Sequence, residues 1–238
     1  MGSKKSRKIK RSKTTRKYKQ RGGTYDELIR AVRSENVDLE EINRILSNSN
    51  LTLDQIYDAI MFAIMKNKII VVELLLHQYD NDDVDHMNVL NKENEAGYSP
   101  LKLALLEEYN EIVILLLQKG VNADEFDFDY FDFSGTNLHY TKIKNASFEY
   151  AKFIGTNLTH TEFINCNFRN ADMTDATIMD AVLKDCDFMD ATLTRTNFTG
   201  ATITNVHFTG ANISDAIGII IPYTTDIGPP RPPPSSNP

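Results

Sequence analysis

The sequence predicts a two-domain α + β solenoid, in which paired helices are followed by a four-sided parallel β-helix. Three observations support this prediction. A five-residue pattern repeats eighteen times without a gap over residues 126–215. Within that stretch, phenylalanine recurs every twenty residues. Ahead of it, apolar runs typical of short helices repeat at an offset of 41 residues, as from Ala63 to Ala104.

Charge divides the 238-residue chain unevenly. Residues 1–22 hold eleven Lys and Arg and no acid, although the formal net charge of the chain is −7. The rest is therefore strongly acidic. We find no stretch that is long and apolar enough to span a bilayer and no signal peptide, which predicts an intracellular protein.

Residues 1–23 are predicted to be a disordered basic tail, because they contain almost no large apolar side chain. Three hypotheses stay open for it. Gly2 followed by Ser6 fits the N-myristoylation pattern, and the neighbouring basic run would give a second signal for membrane-surface association. Residues 4–21 also suit an anionic membrane, nucleic acid or a nuclear address. The third hypothesis is a solvated tail without a single partner.

Residues 24–125 are predicted to form three pairs of short helices, stacked as an α-solenoid. Thr24 or Asp26 is expected to cap the first helix, and Gly120 to end the last. An acidic loop is expected over 80–97. The helices are expected over residues 26–35, 39–47, 53–67, 69–79, 99–110 and 111–120.

The third pair resembles an ankyrin repeat. Residues 97–104 parallel the family's Gly-x-Thr-Pro-Leu-His-x-Ala, and residues 120–124 parallel its closing Gly-Ala-Asp. Ser99 can cap the helix and Pro100 presets its first turn. The resemblance implies three ankyrin-like units, only one of them clear, and a generic helical cap is the alternative. The motif residues are Gly97, Ser99, Pro100, Leu101, Ala104 and Gly120.

The five-residue pattern fits neither a helix nor a strand, so each five must be its own structural unit. Its third residue is large and apolar, and its first is Ala, Thr, Cys or Val in sixteen of the eighteen fives. If each five turns one corner, four fives close a coil of twenty residues. Cys166 and Cys186 then lie one above the other, either as a disulfide or as small buried residues. The same stacking predicts a core ladder of Phe128, Phe148, Phe168, Phe188 and Phe208.

These fives resemble the pentapeptide-repeat family, whose pattern is Ala-(Asp/Asn)-Leu-x-x. Residues 171–175, Ala-Asp-Met-Thr-Asp, and residues 211–215, Ala-Asn-Ile-Ser-Asp, fit most closely. The resemblance implies a right-handed quadrilateral parallel β-helix. The first two fives begin with Phe, which suggests that the preceding domain widens or caps the first coil.

The pattern breaks at residues 216–218, and residues 219–223 are expected to plug the end of a β-helix domain that spans 126–223. Residues 224–238 are predicted to be a disordered Pro-rich tail. Prolines at P-x-x-P spacing within 229–234 suit a polyproline-reading domain, and a plain tail is the alternative.

We find no motif for a nucleophile, a phosphate loop, a cofactor or a metal, which predicts a protein that is not an enzyme. His139, Tyr140 and His160 share one wall of the rod, where Tyr140 is expected to stack with His160, as a contact patch or simple packing. The leading hypothesis is a protein-protein interaction scaffold. The pairing of the two repeats looks like viral or intracellular-bacterial proteins that act on host components. The pentapeptide resemblance implies one alternative, a DNA-mimicking inhibitor of a type II topoisomerase. The other is a myristoylated or polybasic membrane-surface adaptor.

Overall fold

The computed structural model describes residues 23–79 and 84–219. Gly2, the basic residues 4–21, most of the proposed plug (220–223) and the prolines of 229–234 lie outside these ranges. The described helices are α1 (Gly23–Arg33), α2 (Leu39–Asn48), α3 (Leu53–Met65), α4 (Ile69–Leu76), α5 (Val84–Asn91), α6 (Pro100–Leu106) and α7 (Asn110–Gln118). The described strands are β1 (Lys142–Lys144), β2 (Glu162–Ile164), β3 (Val182–Lys184) and β4 (Thr202–Thr204).

The helical unit is a row of helix pairs. The helices of each pair pack on each other, α1 with α2, α3 with α4 and α6 with α7, and α3 packs between α1 and α6. Thr52 and Gln55 form a reciprocal capping box at the start of α3. The prediction for the first helix was wrong in its start: α1 begins at Gly23, so Thr24 and Asp26 lie inside its first turn and neither is the N-cap.

Residues 84–91 form α5, where the sequence analysis expected a loop. Leu90 is fully buried, Met87 packs against the core, and α5 contacts both α3 and α6. Val89 packs against the core as well, and these three apolar side chains hold one short helix against its neighbours. The surrounding acids hide this pattern in the sequence.

The second and third helix pairs share one turn geometry, 41 residues apart. Asn67 and Glu108 both have left-handed backbone, with φ of 50° and 59°. The next residues, Lys68 and Tyr109, each donate their amide to the carbonyl five residues earlier, at 2.9 Å in both cases. The sequence offset therefore marks a structural repeat.

After the helices, the chain forms the right-handed quadrilateral parallel β-helix that the sequence predicted. Strands β1 to β4 make one parallel sheet in chain order, with Ile143 opposite Phe163. Single bridges at the same twenty-residue spacing join the other three sides, as between Asp132 and Lys152. Between successive coils, three residues pair on the side of β1 to β4, whereas one residue pairs on each of the other three sides.

A column of phenylalanine rings fills one side of the coil. All five rings are at most 1% exposed, and near-parallel stacking at about the spacing of neighbouring strands gives each pair about 0.5–1.5 kcal/mol beyond area burial. The rings of Phe128, Phe148, Phe168, Phe188 and Phe208 stack in order, with centroids 5.1, 4.8, 4.7 and 5.4 Å apart.

Threonines at the first position of a five enter this core without losing hydrogen bonds. Thr156 Oγ1 donates to Phe133 O at 2.7 Å, and Thr196 Oγ1 donates to Met173 O at 2.8 Å. Across the described residues, no buried side-chain nitrogen or oxygen lacks a hydrogen-bond partner. Thr is therefore an acceptable substitute for Ala at this position.

The corners explain the period of five. The last residue of every five has a left-handed φ, between 52° and 75°, in all eighteen units. Thirteen of these residues are Gly, Asn or Asp, the types that tolerate this region best. Asn or Asp at the second position often supports the corner, as when Asp172 Oδ1 accepts from Thr174 N at 3.0 Å. Each five thus encodes its own turn.

The rod begins one five earlier than the sequence analysis placed it. Residues 121–125, Val-Asn-Ala-Asp-Glu, obey the same rules, with their first and third side chains buried. Asn122 Oδ1 accepts from Asp124 N at 2.7 Å, and Glu125 has a φ of 68°. Glu125 N donates to Lys144 O at 2.9 Å, as a corner residue does in later coils. The segment that closes the last helix pair is therefore also the first rung of the rod.

The last coil ends at Gly218. Ile217 still bridges to Asn197, but Gly218 has a φ of 72°, and a Cβ there would lie 2.4 Å from Thr199 N. Glycine at this position lets the chain leave the coil, and Ile219 then packs against the core.

A matched pair of glycine corners tests the coil spacing. Gly155 and Gly200 both have positive φ, but a Cβ meets nothing within 4 Å at Gly155 and lies 2.1 Å from Asp180 Oδ1 at Gly200. We expect Gly155→Ala to lose about 1 kcal/mol of unfolding free energy, the cost of a left-handed alanine. Gly200→Ala should lose about 1 kcal/mol more, because the Asp180 side chain must leave its rotamer.

Urea denaturation measures both changes. In an Asp180→Gly background, the extra loss at Gly200 should vanish. Equal losses of unfolding free energy for Gly155→Ala and Gly200→Ala in the native background would contradict the stacking of Gly200 on Asp180.

Candidate interaction surfaces

A narrow cleft lies where α7 meets the first coil. Gln118 Nε2 donates to Asn137 O at 2.9 Å and ties the two units together beside it. Pockets for small molecules have volumes of about 300–1,000 Å³, so this cleft is better matched to one side chain of a partner. It has a volume of about 160 Å³ and is lined by Leu117, Gly120, Val121, Tyr140, Thr141, Lys142 and Ile143.

Within residues 126–215, five corners of the rod carry residues other than Gly, Asn or Asp in the left-handed conformation: Tyr130, Tyr140, Tyr150, His160 and Arg195. At each of them the backbone costs about 1–2 kcal/mol relative to a right-handed residue. Arg195 is compensated in part by two hydrogen bonds from its guanidinium to Asp175, both 2.6 Å long, in the coil below. The four aromatic residues instead stack in two pairs, Tyr130 with Tyr150 and Tyr140 with His160.

Tyr130 and Tyr150 form one stacked pair. Their centroids lie 5.0 Å apart with 6° between the planes, and their exposed fractions are 72% and 45%. Two carboxylates precede them in the chain, Asp129 and Glu149, in adjacent coils. We call these four residues the Tyr130–Tyr150 corner. Sequence reasoning missed it, although the Asn/Asp/Gly column that these tyrosines interrupt is visible in the sequence.

Tyr140 and His160 form a second stacked pair, as the sequence predicted. Their centroids are 4.9 Å apart, and the ring of His139 meets Tyr140 edge-on at 5.1 Å. Tyr140 also lines the cleft between α7 and the first coil. No carboxylate stands next to either residue of the pair in the chain, because His139 and Thr159 occupy the positions that Asp129 and Glu149 hold at the other corner.

The helical unit exposes large apolar side chains at equivalent places. Met65 and Leu106 are the last residues of α3 and α6, 41 positions apart, and they are 48% and 50% exposed. Ile70, in the first turn of α4, is 58% exposed. Because α3 and α6 pack together, two successive repeats place an apolar side chain at the same end of the stack.

Four of the rod's acids lie at successive corners and therefore ring the rod. Asp175, Asp180, Asp185 and Asp190 all lie at corners, in the left-handed conformation. Several acids are locally neutralised or hydrogen-bonded. Arg195 pairs with Asp175, Arg169 pairs with Asp187 at 3.2 Å, and Asn205 Nδ2 donates to Asp185 Oδ1 at 2.7 Å.

The two cysteines are free and buried, one above the other. Cys166 Sγ lies 3.5 Å from Ile143 O, and Cys186 Sγ lies 3.4 Å from Phe163 O. The hydrogen bond with Cys186 and, after it, burial raise the pKa of the Cys166 thiol well above its ordinary value. The sequence allowed either a disulfide or two small buried residues at these positions. In the structure the two cysteines are free and buried.

The ankyrin-like motif residues lie where the motif requires. Ser99 Oγ accepts from Lys102 N at 3.2 Å, and Pro100 is the first residue of α6. Leu101 and Ala104 are fully buried. Gly97 and Gly120 have φ of 78° and 82°, which favours glycine at both turns.

Within residues 23–79 and 84–219, no cluster of three or more His, Cys, Asp or Glu is arranged to hold a metal ion. None of the helices described there combines the length and apolarity that a membrane crossing needs.

Family models match both units. A model of three ankyrin repeats matches residues 28–127, and a model of eight pentapeptide repeats matches residues 146–185 and again 186–217. Ankyrin repeats and pentapeptide repeats are thus both present, as predicted. The pentapeptide match begins one coil after residue 126. The first coil departs from the pattern in the Phe residues that start its first two fives.

Two regulatory proteins of Arabidopsis thaliana are partial relatives. NPR4 is 35% identical over 92 residues, which are 39% of this chain and 15% of NPR4. NPR3 is 31% identical over 102 residues, which are 43% of this chain and 16% of NPR3. The chain therefore spans only about one sixth of the length of these relatives.

Solved structures match parts of the chain. A pentapeptide repeat protein from the Arabidopsis thaliana thylakoid lumen is 26% identical, covers 38% of this chain and 67% of its own, and has a TM-score of 0.32. QnrB1, a plasmid-mediated fluoroquinolone resistance protein, is 24% identical, covers 44% and 52%, and has a TM-score of 0.35.

Burial of the cysteines predicts slow thiol chemistry. In the native protein we expect neither Cys166 nor Cys186 to react with Ellman's reagent on the time scale of an exposed thiol, because each needs local unfolding first. In denaturant both should react. The exposed Ser134→Cys variant is the matched control, with one fast thiol. Fast reaction of the unmodified native chain would contradict the inward orientation of these side chains.

Proposed function

We propose that this chain, in which ankyrin repeats run directly into pentapeptide repeats, is a non-catalytic scaffold that binds a protein partner through its helical unit. Both repeat families are typically scaffolds without catalysis, and ankyrin repeats imply protein interaction. The NPR relatives are regulatory proteins by name, which agrees with a role in binding.

The exposed side chains of Met65 and Leu106 are the observation that carries the proposal. Burying apolar surface stabilises a protein by about 25 cal/mol for each Å². An apolar side chain that stays exposed contributes none of this stabilisation to the fold. In two equivalent repeats the last residue of the first helix, Met65 in α3 and Leu106 in α6, is nevertheless half exposed. Ile70, five residues after Met65, is exposed as well. A shared apolar edge on adjacent repeats suits a protein partner that buries it.

The rod supplies rigidity. Its first rung is the end of the helical unit, so the rod has no linker about which to swing freely. A solenoid holds each repeat by its neighbours and leaves its side surfaces available. The proposed scaffold therefore presents the helical edge and the sides of the rod in a fixed relation.

DNA mimicry by the rod is the alternative that the pentapeptide resemblance implied. Duplex DNA carries one charge for about every 1.7 Å of its axis, so a mimic needs acids in rows along the rod. In the twenty-residue register, the longest such row over residues 126–215 is the pair Asp129 and Glu149. The charge pattern does not favour this alternative.

The remaining hypotheses concern residues outside the described ranges. Acylation of Gly2, binding of an anionic membrane or nucleic acid by residues 4–21, and an intracellular, nuclear or membrane-surface location stay predictions from the sequence. The same holds for an origin in a virus or an intracellular bacterium. None of them conflicts with a scaffold role.

Affinity capture with the full chain tests the proposal. Wild type, Met65→Glu/Leu106→Glu and Ile154→Glu serve as baits in extracts of the source cells, with quantification by mass spectrometry. Ile154 lies on the rod and is 39% exposed, so its variant controls for a new surface charge. We expect a partner whose recovery falls at least about tenfold with the helical variant and is unchanged with the rod variant.

The opposite result is equally clear. If all three baits retain the same proteins in the same amounts, the helical edge is not the binding surface and the proposal fails.

A further inference from the structure

The stacking of Tyr130 on Tyr150 does not offset the backbone cost of the two residues, because one stacked pair contributes about 0.5–1.5 kcal/mol and each left-handed corner costs about 1–2 kcal/mol. Both stand at left-handed corners that Asn, Asp or Gly fill in most other fives. Tyr130 is 72% exposed and so gains little burial in return. Backbone strain of this kind clusters at binding sites, where the side chain has a use that the fold does not require.

The corner has a definite chemistry. Asp129 Oδ1 accepts from Ser147 Oγ at 2.6 Å and from Glu149 N at 2.8 Å, which fixes it beside the tyrosines. In the described part of the chain, neither Asp129 nor Glu149 is paired with a Lys or Arg. Tyrosine rings pack against proline rings and guanidinium groups, and carboxylates pair with guanidinium. An arginine set among prolines satisfies both parts of the corner.

The chain itself contains such a segment. Residues 229–234 read Pro-Pro-Arg-Pro-Pro-Pro, in which Arg231 is the only charge. Polyproline has little conformational freedom to lose on binding, so a small surface suffices to hold it. The basic tail at the other end of the chain offers more charge, but it has no proline for the tyrosine rings.

The segment can reach the corner. Tyr150 lies three coils before Gly210, in the last coil, a distance of about 14 Å along the rod at the spacing of strands. The chain leaves the last coil at Gly218, almost two sides beyond the corner of Gly210. Facing sides of the rod are about 10 Å apart, so two sides add about 20 Å and the path over the surface is about 24 Å. Nine residues, 220–228, can span up to about 28 Å when the backbone is extended, which is enough for this path.

We propose that residues 229–234 dock on the Tyr130–Tyr150 corner of the same molecule. The proline rings lie against Tyr130 and Tyr150, and the Arg231 guanidinium pairs with Asp129 and Glu149. This contact folds the tail back along the rod. It also masks the prolines, so a polyproline-reading partner has to displace the tail before it binds.

The second aromatic corner provides an internal control. Tyr140 and His160 are stacked in the same way and have the same backbone conformation, but they lack the neighbouring carboxylates. A tail that followed aromatic rings alone would bind both corners. A tail that needs Arg231 paired binds only the first.

Paramagnetic relaxation enhancement in the full chain tests the proposal. A spin label is attached to Pro238→Cys, four residues beyond the docked segment, and the two native thiols are too buried to take it up. Amide signals of the ¹⁵N-labelled protein are then compared with the label oxidised and reduced. We expect selective broadening around residues 129–131 and 149–152, unchanged on tenfold dilution.

Three variants sharpen the result. Tyr130→Asn/Tyr150→Asn removes the rings, and Asn suits the left-handed corner, so the fold is retained. This variant and Arg231→Glu should each abolish the broadening, whereas Tyr140→Asn/His160→Asn should leave it intact. The proposal is overturned if broadening is absent, falls elsewhere on the rod, disappears on dilution or persists in the first two variants.

Discussion

Every coil of the rod depends on one backbone constraint, a left-handed residue at the end of each five. That residue turns the chain through a corner, and four corners bring it back above its starting point. Side chains twenty positions apart therefore lie directly above one another and stack, both the core phenylalanines and the surface tyrosines. The preference of Asn, Asp and Gly for this conformation gives the sequence its period, and the stacked Phe side gives the rod its core.

The same constraint explains how two different solenoids join without a linker. Ankyrin repeats end in a turn that leaves Val121 and Ala123 pointing inward, and Glu125 adopts the left-handed corner of a pentapeptide. The first coil can therefore pair with the end of the helical unit as if with another coil. A junction without a linker suits a scaffold better than two tethered domains would.

The fold could be predicted almost completely from the sequence, because both repeats show their period directly. The Phe column, the stack of Tyr140 on His160 and the offset between helix pairs all follow from counting. The helix α5 could not be predicted, since its apolar residues Met87, Val89 and Leu90 form a short run between two acidic segments. Their packing against the core is visible only in the structure. The rung at 121–125 was missed because the sequence analysis had assigned residues 120–124 to the end of the ankyrin-like motif. The Tyr130–Tyr150 corner was missed because the left-handed conformation of the fifth position is a fact of geometry, and a tyrosine is unusual only once that geometry is known.

The most direct test of the coil is the coupling between two side chains that are distant in sequence. Phe148 and Phe168 stack with centroids 4.8 Å apart, whereas Phe128 and Phe208 lie four coils apart in the same column. A double-mutant cycle with Phe→Leu at each position, measured by urea denaturation, should give a coupling of about 0.5–1.5 kcal/mol for the first pair. The second pair should give a coupling near zero. Equal coupling in both pairs, or none in the first, would contradict a chain that closes every twenty residues.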